Sequence, residues 1–131
     1  MNPDEYFLQI TQLIASFTFV HSFSIEFDKR SPQLVFVRGS LYFIDESALF
    51  FREFIVFGPE ITRVSYSYHY QDRDGNLIFR YDNAPHFPHL PNFPHHKHDG
   101  VQRQVVTSDP PDLEKILKEI NGKIGFSPKT D

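Results

Sequence analysis

The sequence predicts an α+β fold in which an antiparallel meander of about five strands packs against an N-terminal and a C-terminal helix. Apolar residues recur at helical spacing near both ends of the chain, and between these ends they alternate with polar residues as in half-buried strands. Short turn signals separate the alternating segments, and parallel neighbours would need connections of a dozen or more residues. A chain of 131 residues with 40% hydrophobic residues fits one core. We therefore expect a single domain over residues 1–122 and a flexible tail over 123–131.

Capping signals and apolar stripes indicate where the two helices lie. Asn2 is expected to cap the first helix, with Pro3 at the first helical position and Glu5 at the acidic position of a capping box. Asp109 is expected to cap the second helix, and Gly122 lies near its predicted end. The apolar stripes are Tyr6, Phe7, Ile10, Leu13, Ile14 and Phe17 in the first helix, and Leu113, Ile116, Leu117 and Ile120 in the second.

Five segments rich in Phe, Val, Ile and Tyr are predicted to be strands. They cover residues 19–27, 34–44, 48–57, 64–70 and 77–82. The turns between them, such as Asp72-Arg73-Asp74-Gly75, are short enough for antiparallel hairpins. The following segment, Asn83 to Gly100, has no periodicity and holds four Pro and five His among its 18 residues. We expect a long loop there, and such loops in compact domains are usually functional or mobile.

Composition excludes several classes of protein. The chain has no Cys, which excludes a disulfide scaffold, a Cys-ligated zinc site, an iron–sulfur cluster and a thiol nucleophile. No apolar run approaches the roughly 18–20 residues of a membrane span. The start, Met1 to Tyr6, lacks the pattern of a signal peptide, so we expect a cytoplasmic protein with no membrane partner. The net charge is −4, yet residues 63–103 hold six of the seven His and five Lys or Arg against four Asp.

The hairpin of the fourth and fifth predicted strands carries the first candidate residues. Pairing Gln71 with Asn76 across a four-residue loop decides which side chains share a face. The predicted pairs are Tyr70–Leu77, Tyr68–Phe79 and Tyr66–Tyr81 on one face, and His69–Ile78, Ser67–Arg80 and Ser65–Asp82 on the other. Two explanations of this polar face stay open. It is either a solvated surface with an Arg–Asp ion pair, or a site in which His69, Arg80 and Asp82 act together. For the tyrosines, core packing and base stacking both stay open.

The histidines of the long loop allow three interpretations. His86-x-x-His89 and His95-His96-x-His98 supply enough imidazoles for a zinc or nickel site, although four Pro interrupt the run and no regular element fixes the spacing. Imidazoles that titrate near neutrality also suit general acid–base catalysis beside an Arg. A purely structural loop packed by Pro and Phe is the third interpretation. We predict no metal ligand and no cofactor.

The stretch from Tyr66 to Gly100 resembles the TumE family of bacterial and archaeal toxins. The resemblance rests on YHYQD, LIFRYDNAPH and FPHHKH over about a quarter of the chain, and more loosely on FREF at Phe51 to Phe54. It implies the toxin half of a type II toxin–antitoxin pair that acts on RNA and is neutralised by a helix-turn-helix antitoxin similar to TumA. The resemblance brings no catalytic residues with it.

These observations lead to the hypothesis of a metal-independent endoribonuclease that uses His and Arg side chains. Transesterification by the 2′-OH of RNA needs a base, an acid and a cation that stabilises the phosphorane. We assign His69 as the base and Arg80 as the cation. His86 or His96 is the predicted acid, and Asp82 orients an imidazole or the guanidinium. The predicted substrate-binding residues are Tyr68, Tyr70, Tyr81 and Lys97.

Two other functions fit the same sequence. One is a non-catalytic module that binds a protein or a single-stranded nucleic acid through the Tyr-rich face, and the other is a metal-binding protein that uses the His loop. The acidic net charge fits a basic antitoxin surface better than unaided binding to RNA. The Phe-rich strand from Leu49 to Phe57 fits either the core or the interface of a homodimer.

Overall fold

The computed structural model describes residues 1–124, which form two helices and seven strands. The helices are α1 (Pro3–Ala15) and α2 (Leu113–Ile124). The strands are β1 (Val20–Lys29), β2 (Leu34–Phe43), β3 (Ala48–Phe57), β4 (Ile61–Gln71), β5 (Leu77–Asp82), β6 (His96–Asp99) and β7 (Gln104–Thr107). All seven form one antiparallel sheet in which each strand pairs with its neighbours in sequence. The antiparallel meander with a helix near each end is confirmed, with seven strands instead of about five.

Both helices pack on one face of the sheet, which we call the covered face; the opposite face is the open face. Tyr6 of α1 donates a hydrogen bond to Glu53 of β3, and Tyr81 of β5 donates one to Glu119 of α2. Alternation along the strands turns apolar side chains toward the helices, where their burial stabilises the fold. The sheet residues of this core are Val35, Val37, Leu41, Phe43, Leu49, Phe51, Ile55, Phe57, Tyr66, Tyr68, Tyr70, Phe79 and Tyr81.

The start of α1 is as predicted, whereas α2 begins later than predicted. Asn2 caps α1, because its Oδ1 accepts a hydrogen bond from the backbone N–H of Glu5 at 2.8 Å. The predicted cap of α2 at Asp109 is wrong, since the cap is Asp112, whose Oδ1 accepts from the backbone N–H of Lys115 at 2.8 Å. Pro110, the expected first helical residue, precedes a second proline, and a residue before proline is disfavoured in the helical conformation.

The predicted loop from Asn83 to Gly100 is shorter than expected, because β6 lies inside it. Strands β6 and β7 have four residues each and pair antiparallel at the end of the sheet. Strand β6 was not predicted because its sequence, His-Lys-His-Asp, lacks the β-branched and aromatic residues that are typical of strands. At the other end of the predicted domain, Lys123 and Ile124 belong to α2, and the rest of the predicted tail, residues 125–131, lies outside the described residues.

The β4–β5 hairpin has a different register from the predicted one but keeps the predicted faces. His69 pairs with Arg80 and Ser67 with Asp82, a shift of two residues along β5. The shift arises because Asn76 belongs to the turn, where its backbone N–H donates to Asp72 Oδ1 at 2.9 Å, and because the ladder is irregular next to Gln71. A shift of two preserves side-chain alternation, so the polar set stays on one face.

The length and apolar character of the two helices are relevant to the expectation of no membrane partner. Neither helix in residues 1–124 has the length and apolar character required to cross a bilayer.

Candidate active site

Strand register aligns two rows of side chains on the open face. The first row runs through Arg38, Arg52, Ser67, Asp82 and His96, one residue from each of β2 to β6. The second row runs through Ser40, Phe50, His69, Arg80 and His98 on the same strands. Neighbouring strands lie about 4.8 Å apart, so groups from adjacent strands are within reach of one ligand.

A depression of about 720 Å³, which we call the open-face pocket, lies over these rows. The charged and imidazole side chains of the open face in its lining are Arg38, Arg52, Arg80, Asp82, His86 and His98. A second depression of about 320 Å³ shares the three arginines and reaches His69. Within residues 1–124, neither Arg38 nor Arg52 forms a salt bridge. The pocket therefore holds two exposed guanidinium groups without counter-charges, which suits the binding of an anion.

Asp82 is the centre of the polar contacts at this site. Its side chain is largely buried; Oδ1 accepts a hydrogen bond from the backbone N–H of Ala84 at 3.0 Å, and Oδ2 accepts from Arg80 Nε at 3.1 Å. The same carboxylate lies 3.0 Å from His96 Nε2 and 3.6 Å from His98 Nε2. We call Asp82, His96 and His98 the Asp–His cluster.

The two histidines of the Asp–His cluster differ in exposure. His96 is 1% exposed, and its Nδ1 lies 2.8 Å from the carbonyl oxygen of Pro94, to which it donates. His98 is partly exposed at the edge of the open-face pocket. Burial lowers the pKa of His98, and the nearby Asp82 carboxylate opposes this shift.

His69 lines the second depression, whereas His86 lines the open-face pocket. His69 lies on β4 directly opposite Arg80, and its Nε2 is 3.1 Å from Gln71 Oε1. His86 follows β5 and is exposed at the lining of the pocket. Arg80 lines both depressions, so one guanidinium is shared by the two imidazoles, and these are the groups that acid–base chemistry on a phosphodiester needs.

A comparison with family models matches residues 10–124 to the toxin TumE. The chain belongs to the TumE family of toxins. No curated protein and no solved structure gives a significant match to the chain. Membership of a toxin family implies a cognate antitoxin as partner. For a TumE-family toxin, the open-face pocket is the candidate site of action.

The structure separates the predicted site residues of this TumE-family chain into two groups. His69, Arg80, Asp82 and His86 lie on the open face and around its pockets. His96 shares this face but is buried beneath it, so its ring has no access to a polymer and the predicted role as acid does not fit it. The remaining predicted residues, Tyr68, Tyr70, Tyr81 and Lys97, lie on the covered face.

The predicted stacking role of the tyrosines does not fit their surroundings. Tyr68 and Tyr70 are 0% and 1% exposed, and Tyr81 is 6% exposed, so their rings have no free face for a base. Burial and the hydrogen bond to Glu119 raise the pKa of Tyr81 to about 12. Lys97 donates to Glu119 Oε2 at 2.9 Å and so holds α2 on the sheet instead of facing a phosphate.

Sequence reasoning gave no role in the open-face pocket to Arg38, Arg52 or His98, and it named His98 only among the loop histidines that could bind a metal. His98 follows the predicted His96 by two residues, so the alternation of a strand gives it the same face. Arg38 and Arg52 interrupt apolar strands at positions that pair across β2 and β3. Two directly opposed arginines are costly in a sheet unless an anion serves them, and this is the signal that would have identified them.

Proposed function

We propose that the chain is the toxin of a type II toxin–antitoxin pair and that it cleaves RNA at the open-face pocket. The observation that carries the proposal is that Arg38, Arg52 and Arg80 line two depressions of the open face. His86 and His98 line the first of these depressions, and His69 lines the second. Family membership supports the toxin role. We also propose that it acts in the cytoplasm, where its RNA substrate is.

The arginines provide the contacts to the RNA backbone. Arg38 and Arg52 are exposed, lie opposite each other and have no carboxylate partner within residues 1–124. A guanidinium group binds a phosphate through two parallel hydrogen bonds, so this pair fits the phosphates of a polynucleotide. An RNA strand bound by both arginines would lie across β2 to β5, whose residues line the pocket.

The chemistry we propose is attack of a ribose 2′-OH on the adjacent phosphorus. His69 accepts the 2′-OH proton, the bond from O2′ to phosphorus forms, and Arg80 stabilises the charge of the phosphorane. The bond from phosphorus to O5′ then breaks while His86 donates a proton to O5′. The products are a 2′,3′-cyclic phosphate and a 5′-OH. These steps use no metal ion, and Asp82 orients Arg80 through the contact at 3.1 Å.

The partner we propose is a helix-turn-helix antitoxin similar to TumA. The net charge of −4 favours a partner with a basic surface. An antitoxin that inserts an acidic side chain between Arg38 and Arg52 would also block the open-face pocket.

RNA cleavage by the His69→Ala and Arg80→Ala variants, measured in EDTA, tests the proposed mechanism. Each variant should lose more than about tenfold in rate, which corresponds to roughly 1.4 kcal/mol of barrier. His21→Ala on β1 and Arg73→Ala in the β4–β5 turn are the matched controls, because both residues are exposed and distant from the pocket. Losses below tenfold for both test variants would remove these residues from the mechanism.

A second candidate function is binding of single-stranded RNA without cleavage. Phe36 and Phe54 line the open-face pocket and stack on each other with ring centroids 4.4 Å apart. Phe36 is 40% exposed, so its ring is more accessible than those of the buried tyrosines, and a base stacking on it would take the place of the Arg30 guanidinium, which lies over the ring at 4.8 Å. This function predicts that RNA binds the protein and leaves it intact in the same assay.

A further inference from the structure

The Asp–His cluster places three metal-ligand atoms around one point between β5 and β6. One ligand atom from each residue lies within 4.8 Å of the other two. The carboxylate approaches the two imidazoles through different oxygens, at 3.0 Å from Oδ1 to His96 Nε2 and at 3.6 Å from Oδ2 to His98 Nε2. Ligand atoms around a tetrahedral zinc ion are about 3.3 Å apart, given bonds of about 2.0–2.1 Å. We propose that Asp82, His96 and His98 bind a divalent transition-metal ion, with Zn²⁺ as the ion that best fits.

The buried Nε2 atom of His96 supports this inference independently. It has no hydrogen-bond partner among the described residues, although its ring is 1% exposed. Because Nδ1 donates to the Pro94 carbonyl oxygen, neutral His96 carries its proton there and presents a lone pair at Nε2. That lone pair faces the Asp82 carboxylate, which is also an acceptor. A cation bound by both groups satisfies them, whereas an unpaired buried acceptor is destabilising.

The surrounding contacts match those of protein metal sites. A metal-bound histidine usually donates its other ring N–H to a backbone carbonyl or a carboxylate, and His96 does so to Pro94. A metal-bound carboxylate is itself held by hydrogen bonds. Asp82 accepts one from the backbone N–H of Ala84 and one from Arg80 Nε. These contacts fix the orientation of two of the three ligands before any ion arrives.

The donor set selects the class of ion. Two imidazoles and one carboxylate suit Zn²⁺ and its first-row neighbours, whereas Mg²⁺ and Ca²⁺ prefer sites made only of oxygen. Asp82 and His98 line the open-face pocket, so a fourth ligand would come from that side. The inference departs from our expectation of no metal ligand, and it does not depend on RNA cleavage.

A bound ion would join β5 to the short strand β6. Asp82 ends β5, and both histidines belong to β6, which has only four residues. The His-rich and Pro-rich connection between these strands would then be fixed at both ends. The proposed ligands differ from the set that the His spacing in the sequence suggested. They exclude His89, whose side chain is exposed on that connection.

Zn²⁺ titration of the full chain, stripped with EDTA and followed by calorimetry without RNA, tests the inference. We expect one ion per chain and a higher Tm when Zn²⁺ is present. His98→Ala and Asp82→Asn should each weaken binding by at least about 100-fold, because removing a hydrogen-bond partner behind a ligand already costs about 10–100-fold. His89→Ala is the control and should bind as the unmodified chain does.

The variants must be folded for this comparison, which circular dichroism checks, and His98→Ala is the safer one because His98 is partly exposed. Co²⁺ gives a second readout, since a tetrahedral site produces visible absorption that the His98→Ala variant should lose. Absence of Zn²⁺ binding, or binding that falls with His89→Ala and not with His98→Ala, would overturn the inference. Because no RNA is present, either result leaves the proposed cleavage to its own test.

Discussion

The two faces of the sheet use the same kinds of polar residue in opposite ways. On the covered face, Glu53 is buried and accepts hydrogen bonds from Tyr6 and Tyr68, and Arg63 lies 3.8 Å from its carboxylate. On the open face, two arginines of the open-face pocket have no carboxylate partner within residues 1–124. Buried charges persist only when they are paired, whereas a binding site keeps its charges available for a ligand. The comparison teaches that polar groups satisfied within the chain maintain the fold, and that the unpaired ones mark the site.

The largest effect we predict is loss of stability when the covered-face network is broken. Glu53→Ala leaves Arg63 without its carboxylate partner and removes the acceptor of two tyrosine hydroxyls. We expect a loss of about 3–5 kcal/mol in the free energy of unfolding, measured by urea denaturation. Glu60→Ala, an exposed change in the β3–β4 turn, should stay within about 0.5 kcal/mol. A loss below about 1 kcal/mol for Glu53→Ala would show that the network does not maintain the fold.

A smaller effect, confined to RNA binding, is predicted for the open face. Replacing both Arg38 and Arg52 with Ala should weaken binding of single-stranded RNA. The slope of log affinity against log salt should fall by roughly 0.7 for each phosphate that the variant no longer neutralises. The unfolding midpoint in urea should not fall, because neither side chain has a salt-bridge partner within residues 1–124. An unchanged salt slope would mean that these arginines do not contact phosphates.

The side chains of β4 and β5 that share a face were predicted correctly, because an error of two residues in the strand register leaves side-chain alternation unchanged. His69 and Arg80 therefore fell on one face in both the predicted and the observed pairing. The connection to β6 was not predictable in the same way. Local sequence preference does not favour a strand at His-Lys-His-Asp, and pairing with β5 and β7 stabilises it.

Which face of the sheet the helices cover could also not be predicted from local sequence. Both faces carry aromatic residues, with Phe36 and Phe54 on the open one and Tyr68 and Tyr81 on the covered one. Which face a helix covers is decided by contacts between segments that are distant in the chain, such as the hydrogen bond from Tyr81 to Glu119 of α2. The predicted binding roles of the tyrosines and Lys97 failed for this reason.

The smallest effect we predict is a loss of stability at high pH that arises on the covered face. Burial raises the pKa of Tyr66 and Tyr81 to about 12, and it raises the pKa of Tyr68 as well. Unfolded tyrosine titrates near pH 10, so the contribution of these groups is complete below about pH 10 and is lost as the pH rises through about 12. Urea midpoints should therefore fall above about pH 10, and less steeply in Tyr81→Phe. A midpoint that stays flat to pH 12 would contradict the burial of these phenols.

RNA cleavage by one variant from each face tests the central claim most directly. Arg80→Ala removes a positive charge from the open-face pocket, and Lys97→Ala removes one from the covered face, where it contacts Glu119. We predict that folded Arg80→Ala loses more than about tenfold in cleavage rate, while Lys97→Ala is less stable and cleaves at the unmodified rate when folded. Full activity in Arg80→Ala together with a comparable loss in folded Lys97→Ala would contradict the account.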